Sequence, residues 1–391
     1  MYIGYTKEQQ ALRDELRAYY AELLTPEIQA ELHEGHGVGE TMRHVVRQMG
    51  KDGWLGIGWP KEYGGQGRSQ IEQFIFFDES MRCGAPVPML TINTVGPTLY
   101  ANASEEIKAE FLPKIVAGEI HFCIGYTEPN AGTDLASLTT RADRDGDEYV
   151  INGQKVFTSL ASDADCIWLA ARTDQDQKHG GISMFLVDMD TPGIKAEPMD
   201  LISSHNICTT FFDDVRVPAS RLVGGENNGW KLITGQLNHE RVTICSPGML
   251  EKSYEGVVEW AKGTKGPDGR RVIDQEWVQM NLARVSAGLE FLRLINWKVA
   301  WSATQDNLKV EDASTTKVFG TEFYVEAFRL LMEIIGERAA LSKGSTDAVL
   351  DGYIENLYRS LLILTFGGGT NEIQRDLIGL FGLGLPRVPR F

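Results

Sequence analysis

Tyr126-Thr127-Glu128-Pro129-Asn130-Ala131-Gly132-Thr133-Asp134 stands where the chain changes character from helical to strand-rich. Its Pro, Asn and Gly mark a turn. Its small residues and hydroxyls leave backbone N–H groups open on an exposed loop. Such a loop is equipped to hydrogen-bond the polar edge of a flat, carbonyl-rich ring. The same string also suits an ordinary capped turn, so its meaning depends on its surroundings.

Residues 1–121 read as a helical domain. Thr6, followed by Glu8, Gln9 and Gln10, is a helix start, and Leu12, Leu16 and Tyr19 form one apolar stripe. Further helices are expected over 70–81 and 104–117. Between them Gly58-Trp59-Pro60-Lys61-Glu62-Tyr63-Gly64-Gly65-Gln66-Gly67 is a loop, read as structural. Residues 122–222 read as a β domain. Tyr149-Val150-Ile151, Asn152-Gly153 and Lys155-Val156-Phe157 predict a hairpin with a type I′ turn at Asn-Gly. Strands are expected over 166–171, 182–187 and 209–217. Residues 223–391 return to helical periodicity, with amphipathic stretches over 230–244, 275–301, 315–335 and 349–364 that predict an antiparallel four-helix bundle. The expected fold class is α+β.

The 391 residues are enough for two or three domains and a large core. A formal charge of −16 argues against nucleic acid as a partner and against a polybasic membrane site. Five scattered cysteines, Cys83, Cys123, Cys166, Cys208 and Cys245, without C-x-x-C spacing, point to reduced, mostly buried thiols. With no signal peptide and no membrane span in view, a cytoplasmic protein is expected. No G-x-G-x-x-G follows a strand, Gly367-Gly368-Gly369-Thr370 lacks the Lys of a phosphate loop, and neither H-E-x-x-H, a Cys/His cluster nor G-x-S-x-G occurs. No metal is expected.

One carboxylate is out of place. Ile233, Leu237, Glu240 and Ile244 recur along one helical stripe, so Glu240 points where a core residue would. Burying an unpaired carboxylate is costly. Glu240 therefore has either a partner, for which adjacent Arg241 is available, or a purpose. A desolvated carboxylate is a good base for a weakly acidic C–H.

These pieces together resemble the acyl-CoA dehydrogenase family. The T-E-P-x-A-G-T-D loop is similar to the family's flavin-holding signature. Trp59-Pro60-Lys61-Glu62-Tyr63-Gly64-Gly65-Gln66-Gly67 resembles its W-P-E-x-Y-G-G-x-G segment, and Lys155-Val156-Phe157-Thr158-Ser159 its K-x-W-T-S segment. The resemblance implies an N-terminal helical domain, a central β-barrel-like domain and a C-terminal four-helix bundle. It also implies bound FAD. Tyr126 and Thr127 would donate to the flavin pyrimidine, and Phe157 would pack on the isoalloxazine. Ser159, or Thr158 if the register slips, would hydrogen-bond near N5. Thr133 would lie near the flavin and the CoA arm, with Arg241 on the substrate side. Asn238-His239-Glu240-Arg241-Val242 looks like the E-R-x-V segment of members that carry the catalytic Glu on this helix. Most members place that Glu near the C-terminus, where Gly368 stands here. Glu372, in the helix-start context Thr370-Asn371-Glu372, is the rival base, with Thr370 and Glu372 otherwise capping the helix or touching the cofactor. The implied reaction is oxidation of an acyl-CoA thioester at C2–C3. Glu240 takes the α-proton, the β-hydride goes to flavin N5, and an electron-transfer flavoprotein accepts the electrons.

Two segments depart from the family pattern. Lys265-Gly266-Pro267-Asp268-Gly269 stands where homotetramers have R-x-x-F-G reaching a neighbour's FAD, and Glu333-Ile334-Ile335-Gly336-Glu337 replaces Q-x-x-G-G. A homologous partner subunit of different sequence is therefore expected. The whole pattern is most similar to the alpha subunits of actinobacterial steroid side-chain dehydrogenases, the 3-oxo-cholest-4-en-26-oyl-CoA type, and implies an α2β2 heterotetramer. A straight- or branched-chain dehydrogenase, a flavin oxidase of the same fold and a non-catalytic FAD-binding subunit remain the alternatives.

Overall fold

Thr6 starts the first helix as its spacing predicts. Its side chain accepts the Gln9 N–H while the Gln9 side chain accepts the Thr6 N–H, a reciprocal cap. The structure, a computed structural model, describes residues 4–34, 38–203, 206–240, 245–305 and 307–387, with the backbone alone at 33, 34 and 237–240. The N-terminal part holds α1 (Lys7–Leu23), α2 (Pro26–Glu34), α3 (Glu40–Lys51), α4 (Gln70–Cys83), α5 (Gly96–Asn102) and α6 (Glu105–Val116). A π-helical turn over Leu90–Val95 leads into α5. The buried stripe of α1 is Leu12, Leu16 and Tyr20, a run of i+4 steps. Tyr19 sits beside it, half-buried, and donates its hydroxyl to Asp52. Ser69 and Ser104 cap α4 and α6.

The middle of the chain forms β1 (Phe122–Gly125), β2 (Arg141–Asp145), β3 (Glu148–Ser159), β4 (Cys166–Arg172), β5 (Ile182–Asp188), β6 (Ile194–Pro198), β7 (Ile207–Pro218) and β8 (Leu222–Val223). They make one sheet in the order β6-β7-β3-β2-β4-β5-β8, with β1 parallel to β4. Strand β4 is buried along its whole length because both faces are covered. Trp168 and Ala170 join a core shared with the N-terminal helices, whereas Ile167, Leu169 and Ala171 face a core of the β domain itself.

The expected hairpin at Asn152-Gly153 is not there. Both residues lie inside β3, which continues through them with a register shift against β7. The Asn152 side chain, instead of making a turn, bonds across to Asp214 on β7: Nδ2 donates to Oδ1 at 3.0 Å and Oδ1 accepts the Asp214 N–H at 2.9 Å. Gly153 serves a close approach, since a Cβ there would lie 2.6–2.8 Å from Thr140. The true hairpin joins β2 to β3 through Gly146, at φ +63.

The C-terminal part holds α7 (Gly229–Glu240), α8 (Pro247–Gly263), α9 (Glu276–Thr304), α10 (Val310–Ile335), α11 (Tyr353–Leu361) and α12 (Asn371–Leu377). Helix α7, read above as the first member of the bundle, instead packs its Leu232 and Ile233 into the N-terminal core, against the π-helical turn and β5. Its place beside α9 and α10 is taken by α8. Ser246 at the cap and Pro247 at the first turn announce α8. The stretch 349–364 is broken by Leu350 and Asp351, both at positive φ, before α11 begins. All five cysteines are free. Among the described residues no helix is long and apolar enough to cross a membrane.

Candidate active site

Strand β1 runs directly into the signature loop, and the loop is closed on itself and tied down to β3. Glu128 and Ala131 exchange backbone hydrogen bonds of 3.0 and 3.1 Å around Pro129-Asn130. The buried Glu128 carboxylate accepts the Thr139 N–H at 2.6 Å, the Thr139 hydroxyl at 2.8 Å, the Thr140 N–H at 2.8 Å and Lys155 Nζ at 2.8 Å. Lys155 Nζ also donates to the Tyr126 carbonyl at 3.2 Å, and the Val156 N–H donates to the Thr127 carbonyl at 2.8 Å. Burial alone would raise the Glu128 pKa. The Lys155 charge and these hydrogen bonds outweigh it and hold the carboxyl at about 2. The sequence reading singled out the loop and the strand but missed the Glu128–Lys155 pair that fastens them.

Past Lys155 the register against β7 shifts again, between Lys155 and Thr158. Phe157 adopts φ 60 and Leu160 φ 63, a region that side chains other than glycine rarely enter. The bulge throws the Phe157 ring outward, 55% exposed, while Lys155 and Thr158 stay buried and Ser159 is half-buried. Phe157 is therefore not a core aromatic. The Thr158 hydroxyl oxygen, turned inward, finds no hydrogen-bond partner among the described residues.

The Tyr126 side chain faces inward. Its hydroxyl donates to Gln236 Oε1 at 2.9 Å and accepts from Trp168 Nε1 at 2.9 Å. That links the loop to α7 one helical turn before Glu240. Thr133 and Asp134 are exposed at the far end of the loop, where Lys178 reaches Asp134 at 2.7 Å. Buried Arg172 donates to the carbonyls of Leu138 and Ala136 and so holds the segment that follows.

Thr370 and Glu372 lie on a second element. Thr370 caps α12 by accepting the Ile373 N–H at 3.3 Å, and Glu372 is exposed in its first turn. Gly368 and Gly369 take φ +67 and +92 ahead of them. Buried Lys317 of α10 donates to the carbonyls of Thr365 and Gly369 and to Asn371 Oδ1 at 3.1, 2.7 and 2.7 Å, which fixes the loop. Glu240 is the last residue of α7; its side chain, and all of Arg241, lie outside the described residues.

Three domain descriptions match in chain order: "Acyl-CoA dehydrogenase, N-terminal domain" over residues 6–119, "middle domain" over 123–215 and "C-terminal domain" over 227–381. This chain belongs to the acyl-CoA dehydrogenase family. It is 52% identical to Acyl-CoA dehydrogenase FadE26 of Mycobacterium tuberculosis and 47% identical to FadE29 of the same organism, over the whole of each protein. Among solved structures it is similar to the ChsE4-ChsE5 complex from Mycobacterium tuberculosis (53% identity, TM-score 0.94, covering 99% of this chain and 100% of that one). It is likewise similar to a "Tcur3481-Tcur3483 steroid ACAD" (48% identity, TM-score 0.94, the same coverage).

In this acyl-CoA dehydrogenase, an oxidoreductase by family, Ile334 and Ile335 at the end of α10 are buried in the C-terminal core, while Lys265, Pro267, Asp268 and Gly269 are exposed. The segment 265–269 lies in the loop between α8 and α9, closed by a bridge between Lys265 and Arg271. Gly336 ends α10. Along α9 the large apolar side chains Trp277, Met280, Phe291, Leu294 and Trp301 are exposed.

Proposed function

We propose that this acyl-CoA dehydrogenase is the FAD-binding, catalytic subunit of a heteromer that introduces the C2–C3 double bond into a steroid side-chain CoA thioester. The observation that carries this is the outward Phe157 on its bulge, beside a loop locked by Glu128 and Lys155. A flat tricyclic ring needs an aromatic wall and fixed donors at its polar edge. Phe157 supplies the wall, and the backbone of Tyr126 and Thr127, with the Ser159 hydroxyl, supplies the donors. Thr370 and Glu372 serve the rest of the cofactor. The residues present therefore fit FAD, which when bound supplies a two-electron acceptor for the β-hydride.

Glu240 removes the α-proton, with Thr133 and Arg241 on the substrate side. The steroid substrate is supported by the likeness to a structure described as a steroid ACAD. A homologous partner subunit is supported by the two-protein complexes this chain resembles and by the exposed apolar side of α9. Large apolar surface of this kind marks an interface. An electron-transfer flavoprotein then accepts the electrons.

The test is Glu240→Gln, co-expressed with the partner and loaded with FAD. Turnover of a steroid side-chain CoA ester should fall by ~10³ or more with the flavin spectrum retained. Undiminished turnover would move the base to Glu372 or to the partner. Faster bleaching of the flavin by straight-chain than by steroid thioesters would remove the steroid assignment.

A further inference from the structure

Tyr126 is held at two ends. Its carbonyl accepts Lys155 Nζ of β3 at 3.2 Å. Its hydroxyl enters a closed triangle with one residue of α7 and one of β4. The hydroxyl lies 2.9 Å from Gln236 Oε1 and 2.9 Å from Trp168 Nε1, and Trp168 Nε1 lies 3.0 Å from Gln236 Oε1. Two donors thus converge on one amide oxygen, which fixes the orientation of the amide. Trp168 is 0% exposed and Gln236 4%. Trp168 pairs with Ile124 of β1, two residues before Tyr126, so the strand that delivers the loop also fixes the indole. Leu232 and Ile233 seat α7 in the same core as Trp168.

An amide is a costly side chain at that place. Gln236 Oε1 is satisfied twice, but Nε2 is buried with no partner among the described residues. An apolar side chain of the same length would avoid that cost. Stability therefore does not account for the amide. What Gln236 alone supplies to the triangle is an acceptor for the Tyr126 hydroxyl, because an indole N–H only donates.

We propose that Gln236 is a positioning residue for the cofactor: through the Tyr126 hydroxyl it sets the backbone of Tyr126 and Thr127 that faces the flavin pyrimidine. This rests on the reading of that loop as the flavin's seat. The Tyr126 carbonyl is tied to Lys155, the Thr127 carbonyl to the Val156 N–H at 2.8 Å, and the hydroxyl to Gln236. With both ends fixed, Tyr126 cannot rock about its own backbone. The peptide that joins it to Thr127 is trans, so the Thr127 N–H points opposite to the carbonyl that Lys155 holds. The donor is aimed before the ligand arrives, and a preorganised donor needs no reordering on binding. Donors at the pyrimidine edge also favour the reduced ring, which carries more negative charge there, over the oxidised one.

The experiment makes Gln236→Met and Tyr126→Phe, singly and together, in the full chain co-expressed with the partner and loaded with FAD. Each should raise the FAD dissociation constant ~5-fold or more, the factor that one ordinary hydrogen bond carries. Each should also shift the flavin absorption bands and lower the flavin midpoint potential. The double variant should bind no worse than the weaker single, since both delete one contact. Tyr126→Phe, one oxygen smaller, carries the test if Gln236→Met does not assemble. Tyr19→Phe removes a hydroxyl bonded to Asp52 among the N-terminal helices, and should leave affinity, bands and potential at their wild-type values. Phe157→Ala reports on the flavin seat itself. Wild-type affinity and potential in both singles, losses that add in the double, or a matching loss in Tyr19→Phe overturn the role of Gln236. A Phe157→Ala that still shifts the bands then leaves the flavin seat standing. Wild-type bands and affinity in Phe157→Ala as well would overturn both.

Discussion

Lys155 Nζ lies 2.8 Å from the Glu128 carboxylate, with the two side chains 0% and 4% exposed. The pair joins the signature loop to the strand that carries Phe157. A buried ion pair adds little net stability over an apolar replacement, but removing one partner strands the other charge.

Glu128→Gln should therefore destabilise the protein by ~3–5 kcal/mol, measured by chemical denaturation. Glu128→Gln combined with Lys155→Met should recover much of this. If the pair's purpose is to seat the loop, the double variant regains stability yet retains less FAD after gel filtration than the wild type.

The pH dependence of that pair has a definite sign. Folding lowers the Glu128 pKa from 4.5 to about 2. Its contribution is present in full above the unfolded value and is lost as pH falls through the folded one. Wild-type unfolding free energy should drop between about pH 4.5 and pH 2 more steeply than that of the double variant. Equal slopes would show that folding leaves the Glu128 pKa unshifted.

The family-defining segments were legible because they are local: Thr6 and Gln9 make a cap from neighbours in sequence, and the turn formers of 126–134 make a turn. What stayed hidden depends on partners far along the chain. Asn152-Gly153 has the composition of a turn, but Asp214 and Thr140 occupy its side-chain space and make it a bulge within a strand. Strand β2, Arg141–Asp145, has little apolar alternation because four of its five side chains are exposed. Glu240 was singled out by pattern and resemblance, and its side chain lies outside the described residues.

The bulge makes its own prediction. Gly153→Ala forces a Cβ to within 2.6–2.8 Å of Thr140, so it should cost ~1–3 kcal/mol by overpacking. Asn152→Ala should cost ~1–2 kcal/mol through its two bonds to Asp214. A type I′ turn would instead tolerate Asp at 152 with little change, so Asn152→Asp, which sets a carboxylate against Asp214, discriminates the two geometries by thermal melting.

The residues after the bulge separate a structural hydroxyl from a working one. Thr158 Oγ1 is buried without a partner among the described residues, whereas Ser159 is half-buried beside outward-facing Phe157. An unsatisfied buried hydroxyl costs ~1–3 kcal/mol, and a methyl of the same shape avoids that cost. Thr158→Val should therefore hold or raise the melting temperature and leave FAD retention and the flavin absorption bands unchanged. Ser159→Ala should leave the apoprotein's melting temperature alone, weaken FAD retention and shift those bands. The reverse pattern would place Thr158 against the flavin and slip the register of the K-x-W-T-S match by one residue. The outward turn at Phe157 would then have to be undone when the cofactor binds.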